Sequence, residues 1–443
     1  MGRVPNDGER GQRGAASAGY GVRLGAFYGA LFLILGVHLP YLPVWLNGRG
    51  LSAEQIAIVT AAPLFLRVFI TPTVAMLADH TGAHRRLING LAWLALVLAL
   101  LLAQAHGFWA IFLLAVPLAI AFSTIIPLTE TVAVAGVRAH GLDYGHMRLW
   151  GSITFVAAGF VGGWLIDRAG AGVVIGCIVA GAVATVAFAW LLPERVSAAA
   201  ASGGEGQGSI PSRHAADVRD SPPSDLPHKG GGTRGAQGSI AEVRGLVGSP
   251  VFLAFLLAAG AVQGAHGMFY TFGALAWQAQ GISTAWVGAL WGVAIAGEVA
   301  LFAYSGSVVR RWGPVTLLVA AAVAAVARWG LMSLSPPLAV LVPLQLLHML
   351  TYSASHLAAM HFISRAVPER AQGTAQALYA TVAAGVLLGG ATLLSGWLYA
   401  WVGGHAYLAM AVLAAIGLAA ALVVRARWHG GLLWDGGSTK PAR

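Results

Sequence analysis

The sequence contains twelve apolar segments, each close to or above the length of about 20 residues that a helix needs to cross a bilayer. These segments lie near residues 21–46, 54–78, 87–106, 108–137, 147–167, 171–193, 251–279, 284–309, 314–334, 338–364, 373–400 and 404–425. Only 9% of the residues are charged and the mean hydropathy is +0.74, whereas about a quarter of a soluble protein is charged. We therefore predict an all-α membrane protein with twelve transmembrane helices, and exclude a soluble globule.

The apolar segments divide into two groups of six, separated by a polar stretch. The first group predicts a six-helix bundle over residues 21–193 and the second a bundle over residues 251–425. Residues 194–250 are rich in Gly, Ser, Pro and Asp, a composition that cannot bury enough apolar surface to fold. We expect this stretch to be a disordered cytosolic linker. Residues 1–20 are expected to be a disordered cytosolic N-terminus, and residues 426–443 a cytosolic tail.

The basic residues indicate how the chain is oriented. Lysine and arginine outnumber aspartate and glutamate by 26 to 16, but they are scattered over short loops and form no stripe that would bind nucleic acid. Nearly all of them fall in the even-numbered loops, the linker and the termini, and only Arg49 and Arg168 fall on the other side. Cytoplasmic loops carry the basic excess. We predict a multi-pass protein of the bacterial inner membrane with both termini in the cytosol, surrounded by lipid and acting as a monomer.

The two halves repeat at an offset of about 226–228 residues, which is a signature of transporter folds. His38 then corresponds to His266, and the loop 77–86 to the loop 305–314. Two six-helix halves with a basic loop after the second helix resemble the major facilitator superfamily, which implies two pseudo-symmetric bundles.

The loop 77–86 also resembles that superfamily's Gly-x-x-x-Asp-x-x-Gly-Arg-Lys signature, kept here as Asp79, Gly82, Arg85 and Arg86, with Ala75 in place of the leading glycine. The resemblance implies that Asp79, Arg85 and Arg86 gate the cytoplasmic side.

An intramembrane charge costs about 2.5–3.5 kcal/mol on insertion scales. Four charged residues stand well inside the predicted helices, namely Arg67, Glu130, Glu298 and Arg328, and Arg148 joins them if the fifth helix begins near Asp143 or Tyr144. If each glutamate neutralises one arginine, one guanidinium is left to bind a carboxylate, which it can hold with two parallel hydrogen bonds. Structural roles stay open for each residue, above all for Arg67, which could tie its helix to a neighbouring carbonyl group.

Polar and aromatic residues recur at helical spacing on three further segments. They are Gln263, His266, Tyr270 and Trp277; Trp291 with Glu298; and His348, Tyr352 and Ser355 with His356 beside them. Such faces suit a substrate with an aromatic ring and a polar end. A packing role stays open for His38 and His266. The single cysteine, Cys177, excludes a disulfide framework, the histidines do not share ligand spacing, and neither a metal nor a cofactor is predicted.

Segments 142–156, 262–299 and 344–363 resemble the bacterial 3-phenylpropionic acid transporters, a proton-linked permease group. A looser resemblance links the chain to the lactose permease group, in which a glutamate and an arginine 18 residues later bind substrate, as Glu130 and Arg148 are spaced here. That resemblance implies a coupling site of Glu298, Arg328 and either His348 or His356. The glutamate that follows the histidine by three residues in that group is here Thr351 or Ala359.

The sequence thus predicts a proton symporter that imports a small aromatic or organic acid, such as 3-phenylpropionate, by alternating access. Arg148 and Arg328 are predicted to bind the anion, together with Glu130, His266, Tyr270, Trp291, His348 and Tyr352. Glu298 is the predicted proton carrier, with Glu130 and His356 as further candidates. A symporter of a neutral solute such as a nucleoside or oligosaccharide, and an exporter of the same fold, remain alternatives. A membrane enzyme or sensor is disfavoured because no nucleotide loop, prenyl-binding aspartate pair or folded cytosolic domain is found.

Overall fold

The computed structural model describes residues 7–140, 142–192 and 242–434, and this part of the chain is helical without any strand. Most of the predicted linker, residues 193–241, lies outside the described residues, as do residues 1–6, 141 and 435–443. The first helix begins at Asp7, within the stretch for which a disordered N-terminus was expected. A short helix at 242–247 lies within the expected linker, ahead of the second bundle.

Six long helices form the first bundle. They are α1 (Asp7–Gly48), α2 (Ala53–Thr81), α3 (His84–Gln104), α4 (Phe108–His140), α5 (Tyr144–Ala169) and α6 (Val173–Trp190). Buried apolar side chains from all six join in one core. The predicted bounds are reproduced within a few residues, except that α1 extends further toward the N-terminus.

Six further helices form the second bundle, and three of them contain irregular turns. They are α7 (Pro250–Gly264 and Gly267–Ala279), α8 (Thr284–Ala303), α9 (Pro314–Met332), α10 (Leu338–Ala366, with a π-helical segment Met349–Ala354), α11 (Gln372–Ala380, a π-helical segment Thr381–Leu387, and Leu388–Val402) and α12 (Tyr407–Arg427). The protein is therefore an all-α membrane protein of twelve transmembrane helices in two pseudo-symmetric bundles, as predicted.

Length and hydropathy agree with twelve crossings. Eleven helical stretches among the described residues are long and apolar enough to span a membrane, and the last of them runs over 59 residues from Glu369 to Arg427. That stretch is long enough for two crossings, and it turns at Gly403, whose φ of +56° lies in the left-handed region. It therefore contains both α11 and α12.

One predicted boundary differs from the structure. The apolar segment 284–309 was assigned to a single helix, but α8 ends at Ala303 and a separate short helix, Ser305–Trp312, follows. Val308 and Val309 extend the apolar segment although they belong to the short helix, in which Val309 is buried. Hydropathy alone cannot detect such a break.

The bundles meet most closely toward one side of the membrane, which we call the distal face, where α5 ends and α8 begins. The opposite side, where α6 ends and α7 begins, is the linker face. Near the distal face, a Cβ atom on Gly288 would overlap the carbonyl oxygen of Gly159, and one on Gly163 would overlap that of Thr284. Small residues permit such close helix packing. The structure is therefore closed at the distal face.

Hydrogen bonds reinforce this closure. The carboxylate of Asp167, at the end of α5, accepts from the backbone N–H groups of Thr284 (2.7 Å) and Ala285 (2.9 Å) at the start of α8. Tyr41 of α1 donates to the carbonyl oxygen of Gly159 at 2.6 Å and also lies 3.1 Å from that of Thr284. The N-terminus of a helix favours a negative charge. Asp167 therefore holds the two bundles together at the distal face.

Candidate functional site

The first bundle contributes one ion pair to the space between the bundles. Helix α5 begins at Tyr144 because Asp143 caps it, accepting from the N–H of His146 at 3.2 Å. Hydrogen bonds from His146 lower the pKa of Asp143, so the cap stays ionised. This early start places Arg148 in the second turn of α5, where its Nε lies 3.5 Å from Oε1 of Glu130 on α4.

Aromatic side chains of α1 and α5 surround this pair. The guanidinium of Arg148 lies 4.2 Å from the ring centroid of Phe32 and 5.5 Å from that of Tyr28, distances at which cation–π attraction acts. The hydroxyl of Tyr144 donates to Oε2 of Glu130. The side chains of Arg148 and Glu130 remain 32% and 29% exposed, so both are accessible from the space between the bundles.

The second bundle contains a buried hydrogen-bond network centred on Arg328 of α9, which is fully buried. Its Nη1 donates to Nδ1 of His348 (2.9 Å) and to Oγ1 of Thr351 (3.0 Å), and its Nη2 donates to Oε1 of Gln345 (2.8 Å). We call Arg328, His348, Glu298, Thr351, Gln345 and His266 the second-bundle network. Its two Nη groups are occupied, whereas its buried Nε has no partner among the described residues. The Nη groups of Arg328 would therefore contact a substrate only if these bonds broke.

The network fixes the tautomer of His348. An arginine can only donate, so Nδ1 of His348 accepts from Arg328 and its Nε2 carries the hydrogen. That Nε2 lies 2.9 Å from Oε1 of Glu298 on α8. Arg328 and Glu298 are therefore linked through a neutral imidazole. The Glu298 side chain is 14% exposed against 3% for His348, so the carboxylate lies at the accessible end of this hydrogen-bonded series.

His266 joins the network at the break in α7. Its Nδ1 lies 3.1 Å and 3.0 Å from the carbonyl oxygens of Val262 and Gln263 at the interruption of the helix, and the Gln263 oxygen also accepts from the backbone N–H of His266 at 3.2 Å. Carbonyl oxygens only accept, so Nδ1 carries the hydrogen and Nε2 is free to accept from Thr351 at 3.1 Å. The His266 side chain therefore donates to carbonyl oxygens at the break in α7 and extends the network to this helix.

The aromatic residues predicted from helical spacing come together around this network. Tyr352 stacks on His348 with 5.4 Å between ring centroids, and Tyr270 stacks on His266 at 5.4 Å. Trp291 packs 5.9 Å from Tyr270 and 6.2 Å from Phe155 of the first bundle, and is only 2% exposed. Trp291 therefore lies at the seam between the bundles, and a ligand would reach it only after the seam moves.

The first-bundle pair and the second-bundle network face each other. Arg148 interacts electrostatically with Glu298 and Tyr352, across the boundary between the bundles. The structure thus brings Glu130, Arg148, Glu298 and the second-bundle network to one region. Of the predicted proton-coupling residues, His356 lies apart, exposed and within 3.5 Å of the Tyr379 hydroxyl.

The three predicted gating residues lie at the linker face. Asp79 accepts from Nε2 of His84 at 3.1 Å, and Arg85 donates to the carbonyl oxygen of Trp190 at the end of α6. Arg86 is exposed. These contacts lie within the first bundle, and gating by the three residues stays a prediction.

A cavity of about 170 Å³ lies between the bundles, beside the second-bundle network. Its wall is mostly apolar and includes Arg67, His38 and Tyr270. Arg67 donates to the carbonyl oxygen of Ala384 in α11 at 3.0 Å, so it does tie α2 to a neighbouring carbonyl group. Within the described ranges, no three His, Cys, Asp or Glu residues are grouped so that they could hold a metal ion.

Sequence reasoning assigned no site role to Thr351, Gln345, Tyr144 and Phe32. Thr351 and Gln345 lie three residues on either side of His348, so their helical spacing carried a signal. Phe32 lies in an apolar helix, so its position gave no signal that it belongs to the site.

Two bundles of six helices with ionic groups facing a shared space are the architecture of a transporter of the major facilitator type. Comparison with known proteins agrees with this class. The chain belongs to the MFS_1 like family, whose model matches residues 22–409. That family and the relatives described next are membrane transporters rather than enzymes, and this chain is a multi-pass membrane protein of the same family.

Two curated relatives cover most of the chain. The "Probable 3-phenylpropionic acid transporter" of Escherichia coli (strain K12) is 31% identical, over 87% of this chain and 93% of its own length. The maltose permease of Geobacillus stearothermophilus is 27% identical, over 90% of this chain and 93% of its own.

Solved structures share the fold at low identity. The nucleoside transporter NupG superposes with a TM-score of 0.68 at 15% identity, covering 92% of this chain and 98% of that one. A bacterial homologue of the human lysosomal transporter Spinster, in an inward-facing and unoccupied conformation, gives 0.66 at 15% identity, covering 93% and 98%.

Proposed function

We propose that this transporter imports a small aromatic or related organic acid together with one or more protons, as a monomer in the bacterial inner membrane. The observation that carries the proposal is the series of hydrogen bonds from Arg328 through His348 to Glu298. It connects a partly accessible carboxylate to a buried cation. The name of the Escherichia coli relative supports an aromatic acid as cargo.

Proton coupling follows from charge balance. While Glu298 is ionised, its negative charge offsets that of Arg328, and His348 donates to it. When Glu298 takes up a proton, the positive charge of Arg328 is no longer balanced, and the region attracts an anion more strongly. By linkage, the anion then favours protonation to the same extent. Glu298 is thus the proposed proton carrier, and Glu130 with Arg148 the proposed contact for the polar end of the substrate.

The basic residues supply the orientation in this proposal. Because the loops of the linker face hold nearly all of them, the linker face and both termini are assigned to the cytosol. The distal face, which is closed, is then extracytosolic. The conformation corresponds to an inward-facing state, and import requires the bundles to rock about the midplane until the distal seam opens.

Uptake of radiolabelled 3-phenylpropionate into right-side-out membrane vesicles tests this function. An inwardly directed proton gradient should raise the accumulated label several-fold, and a protonophore should abolish the increase. Uptake that ignores the gradient would overturn the proposed coupling.

A neutral polar substrate remains the second candidate, favoured by the maltose permease relative and by the share of the chain it covers. In that case, Glu130 and Arg148 would hydrogen-bond hydroxyl groups. Uptake of labelled uridine or maltose that unlabelled aromatic acids do not inhibit would favour this candidate. Efflux faster than uptake under every gradient would instead indicate an exporter.

A further inference from the structure

The pairing of intramembrane charges identifies which arginine is left over. Arg148 pairs with Glu130, and Arg328 is balanced by Glu298 through His348. Arg67 makes no ion pair with any of the described residues, and its single hydrogen bond runs to the Ala384 carbonyl oxygen. An unneutralised guanidinium near the middle of a 29-residue transmembrane helix is costly. An anionic ligand bound at Arg67 would neutralise this charge.

Arg67 faces a cavity whose size suits such a ligand. The cavity lies between α1, α2 and α4 of the first bundle and α7 and α11 of the second, and its volume is about 170 Å³. A dry cavity of about 150 Å³ accommodates a benzene ring. Leu39, Leu42 and Val59 are among the apolar residues in its wall. The cavity therefore suits a body about the size of one aromatic ring.

A second polar group in the wall has no partner. Nε2 of His38 is buried and makes no hydrogen bond to the described residues, while its ring packs edge-on against Phe122 with 6.1 Å between centroids. A buried polar atom without a partner is unfavourable. Arg67 and His38 thus both line one small cavity, where Arg67 has N–H groups without a partner in the described part of the chain and the unpartnered Nε2 of His38 is buried in the wall.

We propose that this cavity binds a small monocarboxylate, with the Arg67 guanidinium holding the carboxylate and Nε2 of His38 donating to it. The apolar body packs on Leu39, Leu42 and Val59. The substrate class rests on the proposed function. The site is separate from the Glu130–Arg148 pair, and it is the tighter of the two for the carboxylate in this distally closed conformation. Since Arg67 also holds Ala384 of α11, a ligand bound there connects the two bundles and favours the state in which they enclose it.

Binding of 3-phenylpropionate and of its neutral amide to the full-length purified protein tests the site. Arg67→Gln should weaken binding of the acid about tenfold or more, because a charge-assisted bidentate contact is lost, and should leave binding of the amide unchanged. Arg168→Gln, which removes an exposed arginine at the distal face, is the matched control and should bind both as the wild type does. Acid affinity within twofold of wild type in Arg67→Gln would overturn the proposal.

A second variant keeps the proposal testable if Arg67→Gln folds poorly. Ala119 lines the cavity, and Ala119→Phe should fill it and weaken both the acid and the amide about tenfold, with Arg67 intact. Unchanged binding of both ligands to a folded Ala119→Phe protein would place the ligand elsewhere and overturn the proposal.

The two proposals fail differently. If acid binding requires Arg67 but uptake does not depend on the proton gradient, the proposed proton coupling is wrong and the proposed Arg67 site is supported. If uptake follows the gradient but neither variant weakens binding, the site is wrong and the coupling stands. If the wild-type protein binds no 3-phenylpropionate, both are overturned.

Discussion

Arg328 illustrates how single residues hold a charge inside this protein. Burying a cation costs less when its N–H groups are hydrogen-bonded. Gln345, Thr351 and His348 accept from the two Nη groups of Arg328, whereas its Nε has no partner among the described residues. These three acceptors come from one helix, α10. The position of α10 against α9 is therefore tied to the charge of Arg328.

Removing one acceptor should destabilise the protein. Gln345→Leu keeps a similar volume but leaves Nη2 of Arg328 without its partner, and we expect a loss of about 1–3 kcal/mol of stability. Thermal unfolding in detergent should show a lower melting temperature. Gln280→Leu changes an exposed glutamine at the end of α7 and should leave the melting temperature unchanged. Equal melting of Gln345→Leu and wild type would show that Gln345 does not stabilise Arg328.

Sequence analysis could find the charged residues but not the way they pair. Hydropathy marks Arg67, Arg148 and Arg328 alike, since each interrupts an apolar segment. The resemblance to the lactose permease group implied that Glu130 and Arg148 act together, and Nε of Arg148 lies 3.5 Å from Oε1 of Glu130. Which arginine lacks a glutamate depends on how separate helices pack, and helical spacing carries no information about that.

Among the elements, α5 and α8 form the tightest contact between the bundles. Gly159 and Gly163 on α5 face Gly288 and Thr284 on α8, so the two backbones touch. A larger side chain has no space there while the distal face is closed. The contact must separate when the distal face opens, so these glycines affect the balance between conformations.

A bulky residue at the seam should shift that balance. Gly288→Leu places side-chain atoms where the Gly159 carbonyl oxygen lies, and should favour the state open at the distal face. Spin labels at positions 168 and 280, in a Cys177→Ala background, should report a longer distance by pulsed electron paramagnetic resonance. Gly390→Leu is the control, because a Cβ there meets nothing within 4 Å. An unchanged distance distribution for Gly288→Leu would contradict the role given to this seam.

The sequence predicted the lengths of the elements better than their interruptions. All twelve helices were expected, but the break of α7 between Gly264 and Gly267, the π-helical turn after His348 and the early end of α8 were not. Apolar composition indicates that a segment lies in lipid, whereas these features depend on local hydrogen bonds. At the α7 break the His266 side chain and its backbone N–H both contribute such bonds.

At the scale of the whole molecule, the arrangement of the bundles links the two proposed ligands. The bundles are joined at the distal face by the glycine contacts and Asp167, and each brings one ionic group to the space between them. The same hydropathy pattern is compatible with an inward-open or an outward-open arrangement, so the sequence could not predict which face is closed. Rocking of the bundles would expose the shared region to each side in turn.

The central claim is that a proton on Glu298 couples to substrate movement. Glu298→Gln mimics the protonated carboxyl group permanently, and it can be assayed in proteoliposomes for two activities with labelled 3-phenylpropionate. Accumulation driven by a proton gradient should be lost, whereas counterflow against unlabelled substrate should persist. Glu54→Gln, at the start of α2, should retain both. Gradient-driven accumulation at the wild-type level in Glu298→Gln would contradict the account.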